Sequence, residues 1–275
     1  MTGRGTFRVR LSMYDWPEVH DVTRDLEAAL QAALTDALGL DPAEARAWPE
    51  EGDLVAAWCH PDVLLTQTCG YPLTHALKDR VRLIGAPHYA APGCDGPNYC
   101  SQIVVRQDSG IEKLEDLRGR RAAFNGLDSQ SGMNAFRHSV APLAGGQPYF
   151  SQVICSGGHL NSLRAVAEDK ADVACIDAVC WNLACREIPD LAARLTPIAR
   201  TASVPVLPFI TSLRFSDGEA DLIADTVAAV LTTPATEECR TRLGIRGFSR
   251  LTVDDYAGIL EMERQAEALG YPVLA

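Results

Sequence analysis

The sequence lacks three things, and each lack removes a class of function. There is no run of about 18 apolar residues, the least that crosses a bilayer as a helix, so no membrane insertion is expected. Positive charge is scarce: 25 basic side chains, 22 of them arginine, face 36 acidic ones, for a formal net charge of −11. That balance opposes binding to nucleic acid or anionic lipid, both of which need basic surface. It leaves a small anionic solute open, because a few oriented donors in a cleft hold an anion despite an acidic exterior. The phosphate-binding patterns G-x-G-x-x-G and G-x-x-x-x-G-K-[ST] are absent, and His60, His75 and His88 form no H-E-x-x-H spacing. The opening MTGRGTFRVRLSMYD has no apolar secretory core. As it stands the chain is expected in the cytoplasm, and in the periplasm if a leader has been removed.

Nine cysteines are an odd number in a chain of 275 residues, which does not read as a disulfide scaffold. Their closest spacings leave four or five residues between them, too many for zinc pairs, so neither metal nor cofactor is expected. Free thiols are expected, with Cys94–Cys100 around DGPNY the one pair spaced to close a tight loop.

What is present is an alternation of short apolar runs and amphipathic stretches. The alternation from Phe7 to Met13 reads as a half-buried strand, and a helix from about 18 to 38 carries Val22, Leu26, Leu30 and Leu34 every four residues. DVLLT (62–66), VRLIGA (81–86), QIVVR (102–106), AAFN (122–125), SQVIC (151–155) and ADVACI (171–176) read as strands. Helices are expected between or after them from Gly132, from His159 and up to Arg186. This predicts an α/β protein with largely parallel sheets. The Pro/Gly-rich stretch 86–100 and the segment 201–212, with Pro205 and Pro208, interrupt the order, and the remainder reads as helices around a turn at 246–249. Helices without strands of their own need a sheet to cover, which predicts lobe one as 1–95 plus 213–275 and lobe two as 96–212. Two crossings then form a hinge, with a cleft between the lobes.

The strongest local signal for chemistry is FNGLDSQSGMNAFRHSV (124–140), where a strand ends and a polar loop enters a helix. Ser129 and Ser131 bring hydroxyls to the free N–H groups of that helix start, as anion donors or as simple caps. CSGGHLNSLRAV (155–166) repeats the geometry with His159, which reads as a neutral donor to an oxyanion or as a packing residue. Asp177 reads as a helix cap or as an acceptor for a solute's ammonium or hydroxyl. The other lobe offers Tyr14 and, after DVLLT, Thr66, Gln67 and Thr68, while Tyr99 lies where the chain enters lobe two. The partner these residues imply is a small-molecule ligand.

At these residues the sequence resembles the substrate-binding proteins of phosphonate, phosphate and phosphite uptake systems, of the type 2 periplasmic-binding fold. The resemblance runs through YCSQIVVRQDSGI (99–111), LEDLRGRRAAF (114–124), SQSG (129–132), SGGH (156–159), ADVACID (171–177), RTASVPVLPF (200–209) and IRGFSRLTVDDY (245–256). It implies a two-lobe α/β fold with a hinge and interlobe cleft, and oxyanion-binding roles for Ser129, Gln130, Ser131 and His159. An acceptor role for Asp177 and an aromatic contact from Tyr99 are implied likewise. Gln130 stands where the family usually has a second small hydroxyl residue. The resemblance implies reversible solute binding for transport or sensing, with an ABC transporter permease as partner if the chain is exported. Sulfonates and thiamine precursors are alternative solutes for relatives of this group. An enzyme with Cys69 as nucleophile and a purely structural module are the competing readings.

Overall fold

The computed structural model describes residues 5–49 and 52–275. They fall into two compact units: the chain up to Ala90 with Pro205–Asp255, and Ala91–Val204 with Tyr256–Ala275.

Unit one is built on a five-stranded sheet in the order Arg8–Arg10, Val63–Gln67, Phe209–Ser212, Val81–Tyr89, Ile245–Ser249. The first pair is parallel and the other three are antiparallel. VLLTQ is buried at all five positions, as expected of an interior strand covered on both faces. The helix His20–Leu38 buries Val22, Leu26, Leu30, Leu34 and Leu38, and stops at Gly39 in the left-handed conformation. The edge strand Ile245–Ser249 replaces the expected turn. Arg246 and Gly247 interrupt its apolar alternation, and its place is made by Gly85 on the neighbouring strand. At φ +148, a β-carbon on Gly85 would lie 2.4 Å from both Phe248 Cζ and Ser249 O, so a side chain there would expel the strand.

Unit two holds the sheet Leu195–Arg200, Ser101–Arg106, Val173–Asp177, Arg121–Phe124, Gln152–Cys155. Its last three strands are parallel, joined through the helices Ala135–Ala144 and His159–Ala167, as crossover connections require. Its first three are antiparallel, so the sheets are mixed rather than largely parallel. The strand on which the chain enters this unit and the one on which it leaves run in opposite directions, which is the physical reason. Pro197 lies in the leaving strand, on an edge where a missing N–H is tolerated.

Two segments sit elsewhere than expected. Phe209–Ser212 is a central strand of unit one, paired on both sides, and not part of lobe two. The tail 256–275, expected on lobe one, belongs to unit two, so the chain passes between units three times rather than twice. The helix Ala257–Ala268 buries Ile259, Met262 and Ala266 and packs on Ala135–Ala144. Hydrogen bonds from Asn134 to Ile259 O and from Arg137 to Glu263 hold it there. None of the nine cysteines is joined in a disulfide, Cys94 and Cys100 included. No helix among the described residues is long and apolar enough to cross a membrane.

Candidate functional site

The strand Arg121–Phe124 delivers the chain to Asn125, and a loop brings it to Ser129 with extended backbone, φ −87 and ψ 128. Ser129 Oγ accepts the Gly132 N–H at 2.9 Å, so Ser129 is the helix cap. The first turn, Gln130–Asn134, is a π-turn: Asn134 N donates to Ser129 O, five residues back, at 3.0 Å. Four N–H groups therefore precede the first main-chain bond, one more than in an α-turn. Gly132 is required in this turn. A β-carbon there would lie 1.8 Å from Asn125 Oδ1, an oxygen that is itself buried with no hydrogen-bond partner.

With Ser129 occupied as cap, Ser131 is the serine whose hydroxyl faces the second loop. Its Oγ lies 2.9 Å from His159 Nε2, and its main-chain oxygen accepts the Cys175 thiol at 3.0 Å. His159 opens the helix His159–Ala167 after Gly157, whose φ of +83 turns the chain into it. The residue is half-buried, but its ring is withdrawn from water, which pushes the pKa down to about 3. It is thus neutral at ordinary pH, with Nδ1 buried and unpartnered. If Nε2 carries the proton, His159 donates to Ser131 and leaves the serine's own hydrogen for an anion. The other tautomer reverses that bond and withholds it.

The remaining expectations divide. Gln130, expected beside the serines as a donor, turns away: its Nε2 donates to Met262 Sδ and its Oε1 accepts from Asn134 Nδ2. Asp177 is 1 % exposed, and its Oδ1 accepts the N–H groups of Val179 and Cys180 at 2.7 and 3.3 Å, capping Ala178–Glu187. The capping alternative is the one this oxygen takes. Tyr99 is buried and lines one narrow hollow with Gln130, Ser131, Ser101 and Thr201.

In unit one, Thr66 Oγ1 donates to Arg10 O at 2.8 Å, and Gln67 Nε2 to Tyr89 Oη and Leu207 O at 3.2 and 3.1 Å. Both side chains are thereby committed to the sheet. Tyr14 packs edge-on against Tyr89 and shares a hollow with Gln67. Thr68 differs, because its hydroxyl is buried with no hydrogen-bond partner. Cys69, the nucleophile of the enzyme reading, is buried before the short helix Gly70–Thr74.

Asn125 and Thr201 are not among the site residues expected from the sequence. Asn125 directly follows the strand that feeds the serine loop, and its place at a strand terminus is the available signal. Thr201 Oγ1 accepts from Ser101 N at 2.9 Å and lies in the same hollow as Ser131, a long-range placement with no local mark. No group of His, Cys, Asp and Glu side chains among the described residues is disposed to hold a metal ion.

Residues 60–256 match the family model described as ABC transporter, phosphonate, periplasmic substrate-binding protein. A search of curated proteins finds no match. Among solved structures, a binding-protein component of an ABC phosphonate transporter from Pseudomonas aeruginosa aligns with a TM-score of 0.76 at 16% identity, over 96% of this chain and 87% of that one. PhnD1 from Prochlorococcus marinus, in complex with methylphosphonate, gives 0.76 at 15% identity over 95% and 98%. XAC2383 from Xanthomonas citri, bound to ATP, gives 0.70 at 15% identity over 96% and 98%. At these identities the structures establish the shared fold, that of the periplasmic binding proteins.

Proposed function

Since the chain belongs to the family of periplasmic substrate-binding proteins of phosphonate ABC transporters, we propose that it binds a small organic oxyanion, phosphonate-like in its head group, reversibly and without turnover. The observation that carries this reading is the pairing of Ser131 with a neutral, desolvated His159 where two strand-to-helix loops meet. An anion taken from water must recover its hydrogen bonds from oriented donors. Ser131 supplies Oγ–H, the π-turn supplies main-chain N–H groups, and Ser129 retains its hydroxyl hydrogen while its oxygen caps the helix. His159 supports the anion through Ser131, and the helix starts add a favourable field.

Tyr99 is the proposed contact to the rest of the solute, because it lines the hollow beside Ser131. Thr66, Gln67, Gln130 and the Asp177 cap are given no solute role, since their polar atoms are engaged elsewhere. The family is periplasmic, and we place this protein's work there, delivering solute to an ABC permease. Cell fractionation showing the native protein in the cytoplasm would contradict that location.

Methylphosphonate, the ligand of PhnD1, is the first probe, with phosphite, phosphate and methanesulfonate beside it. Calorimetry should give saturable 1:1 binding of a phosphonate, and mass spectrometry should return the solute unchanged after incubation. Chemical conversion sensitive to thiol alkylation would favour the enzyme. Saturation by none of the oxyanions at millimolar concentration would end this reading.

A further inference from the structure

The turn that carries Ser131 is held from behind by a buried polar network. Gln130 Nε2 donates to Met262 Sδ at 3.3 Å, and its Oε1 accepts from Asn134 Nδ2 at 2.7 Å. Asn134, with no exposed surface, uses the same amide group to donate to Ile259 O at 3.0 Å. Its Oδ1 accepts from Arg137 Nη2 at 2.7 Å. Arg137, 4 % exposed, continues to Glu263 Oε1 at 3.2 Å and to Pro272 O. Every acceptor reached beyond the turn lies in the tail segment, on or just after the helix Ala257–Ala268.

Apolar side chains of the same volume would pack this boundary without burying two carboxamides and a guanidinium. What the polar groups add is direction, because hydrogen bonds fix orientation where apolar contact does not. They act on a turn whose spacing is unusual. The π-turn holds one residue more than an α-turn does, and such turns are rare features found frequently at functional sites. Gln130 and Ser131 are adjacent, so fixing the first side chain on Met262 and Asn134 fixes the direction of the second toward His159.

We infer that Gln130 and Asn134 are positioning residues: through their bonds to Met262 and Ile259 they set where the Ser129 and Ser131 hydroxyls stand, so that solute affinity is governed from the tail helix. This rests on the oxyanion reading of Ser131 and His159. It also gives Gln130 a purpose different from that of the hydroxyl residue usual at its position. The amide donates nothing to the solute and holds the turn that does.

The test compares Gln130→Met and Asn134→Leu, which keep volume and remove the hydrogen bonds, with Ser131→Ala and with Tyr149→Phe. The last loses a bond to Leu114 O in the same unit, outside the network, and controls for stability alone. Two quantities are read: the dissociation constant for methylphosphonate, and the ¹⁵N shifts of the His159 ring in the ligand-free protein, which report its tautomer and its bond to Ser131. Gln130→Met should weaken binding about tenfold, the worth of one well-placed hydrogen bond. It should also shift the His159 nitrogens, whereas Tyr149→Phe moves neither, even with an equal loss of Tm. Met262→Leu, which removes only the acceptor of Gln130 Nε2, should act in the same direction and serves if Gln130→Met does not fold. Unchanged affinity and unchanged His159 shifts in Gln130→Met, beside weakened binding in Ser131→Ala, overturn the positioning role alone. Unchanged binding in Ser131→Ala overturns the oxyanion reading and the positioning role together.

Discussion

Ser131→Ala is the sharpest perturbation of the proposed site, because the structure separates it from helix capping. The cap belongs to Ser129, whose oxygen holds Gly132 N, so removing Ser131 Oγ leaves the helix start intact. In the complex the variant loses a hydrogen bond to a charged ligand, worth about 1.5–3 kcal/mol, or roughly 10–200-fold in dissociation constant. Ser129→Ala should also weaken binding, while costing about 1 kcal/mol of stability through the lost cap. The decisive measurement is a cycle of Ser131→Ala, His159→Asn and the double variant, titrated with methylphosphonate by calorimetry well below the melting transition. If His159 acts through Ser131, the double variant binds little worse than Ser131→Ala, and the coupling is on the order of 1 kcal/mol or more. Effects that add to within about 0.5 kcal/mol mean that the two side chains act separately. Binding by Ser131→Ala within twofold of the parent refutes the assignment outright.

Three further outcomes are expected. Burial holds the His159 pKa at about 3 in the folded protein against 6.5 in the unfolded chain, so its contribution to stability is full above pH 6.5 and is lost as pH falls toward 3. The slope is at most about 1.4 kcal/mol per pH unit, and His159→Gln should flatten it; parallel pH–stability curves for the two proteins would show that the ring is not desolvated. Gly85→Ala should cost at least about 1–3 kcal/mol in denaturant melts, since its methyl meets Phe248 and Ser249 O, and an unchanged midpoint would mean that Ile245–Ser249 is not held against this strand. In the reduced native protein a thiol reagent should modify the exposed Cys155 and Cys185 first and reach the buried Cys175 and Cys180 only on unfolding. Cys94, pushed up to about 12 by burial and by the nearby Asp177 carboxylate, should stay slow at pH 8; labelling of Cys175 ahead of Cys155 would contradict the fold of this sheet.

Much of the fold was legible because its signals are local. Leucines every four residues mark His20–Leu38, and the strand–loop–helix units between Arg121 and Glu187 carry their periods within short windows. Leu195–Arg200 and Ile245–Ser249 escaped, because Pro197 and the pair Arg246–Gly247 erase the apolar alternation and both strands lie at sheet edges. AGILEMERQAEA announces an amphipathic helix but not which surface it covers. That choice is made by Asn134 and Arg137, more than a hundred residues away, and no periodicity reports it. At the site, the meeting of Ser131 and His159 followed from two strand ends in one sheet. Which serine caps depends on backbone angles within a single turn, and the rotation of Gln130 depends on a methionine sulfur at position 262. Local sequence constrains neither.

The docking of residues 256–275 on unit two has a consequence for how the chain is made. Strands from Ser101 to Arg200 leave the ribosome early, yet the turn at Gln130–Asn134 cannot find Ile259, Met262 or Pro272 until the tail has been synthesised. Unit one waits too, since its central strand Phe209–Ser212 and edge strand Ile245–Ser249 come after all the strands of unit two. At roughly 5–20 residues per second, the stretch from Val204 to the tail takes on the order of several seconds, long compared with helix and hairpin formation. During that interval both halves exist as incomplete sheets with open edges, the state most prone to wrong pairing. A factor that shields unfolded chain, at the ribosome or at the exit of an export channel, should therefore matter most for this protein until its last quarter has emerged.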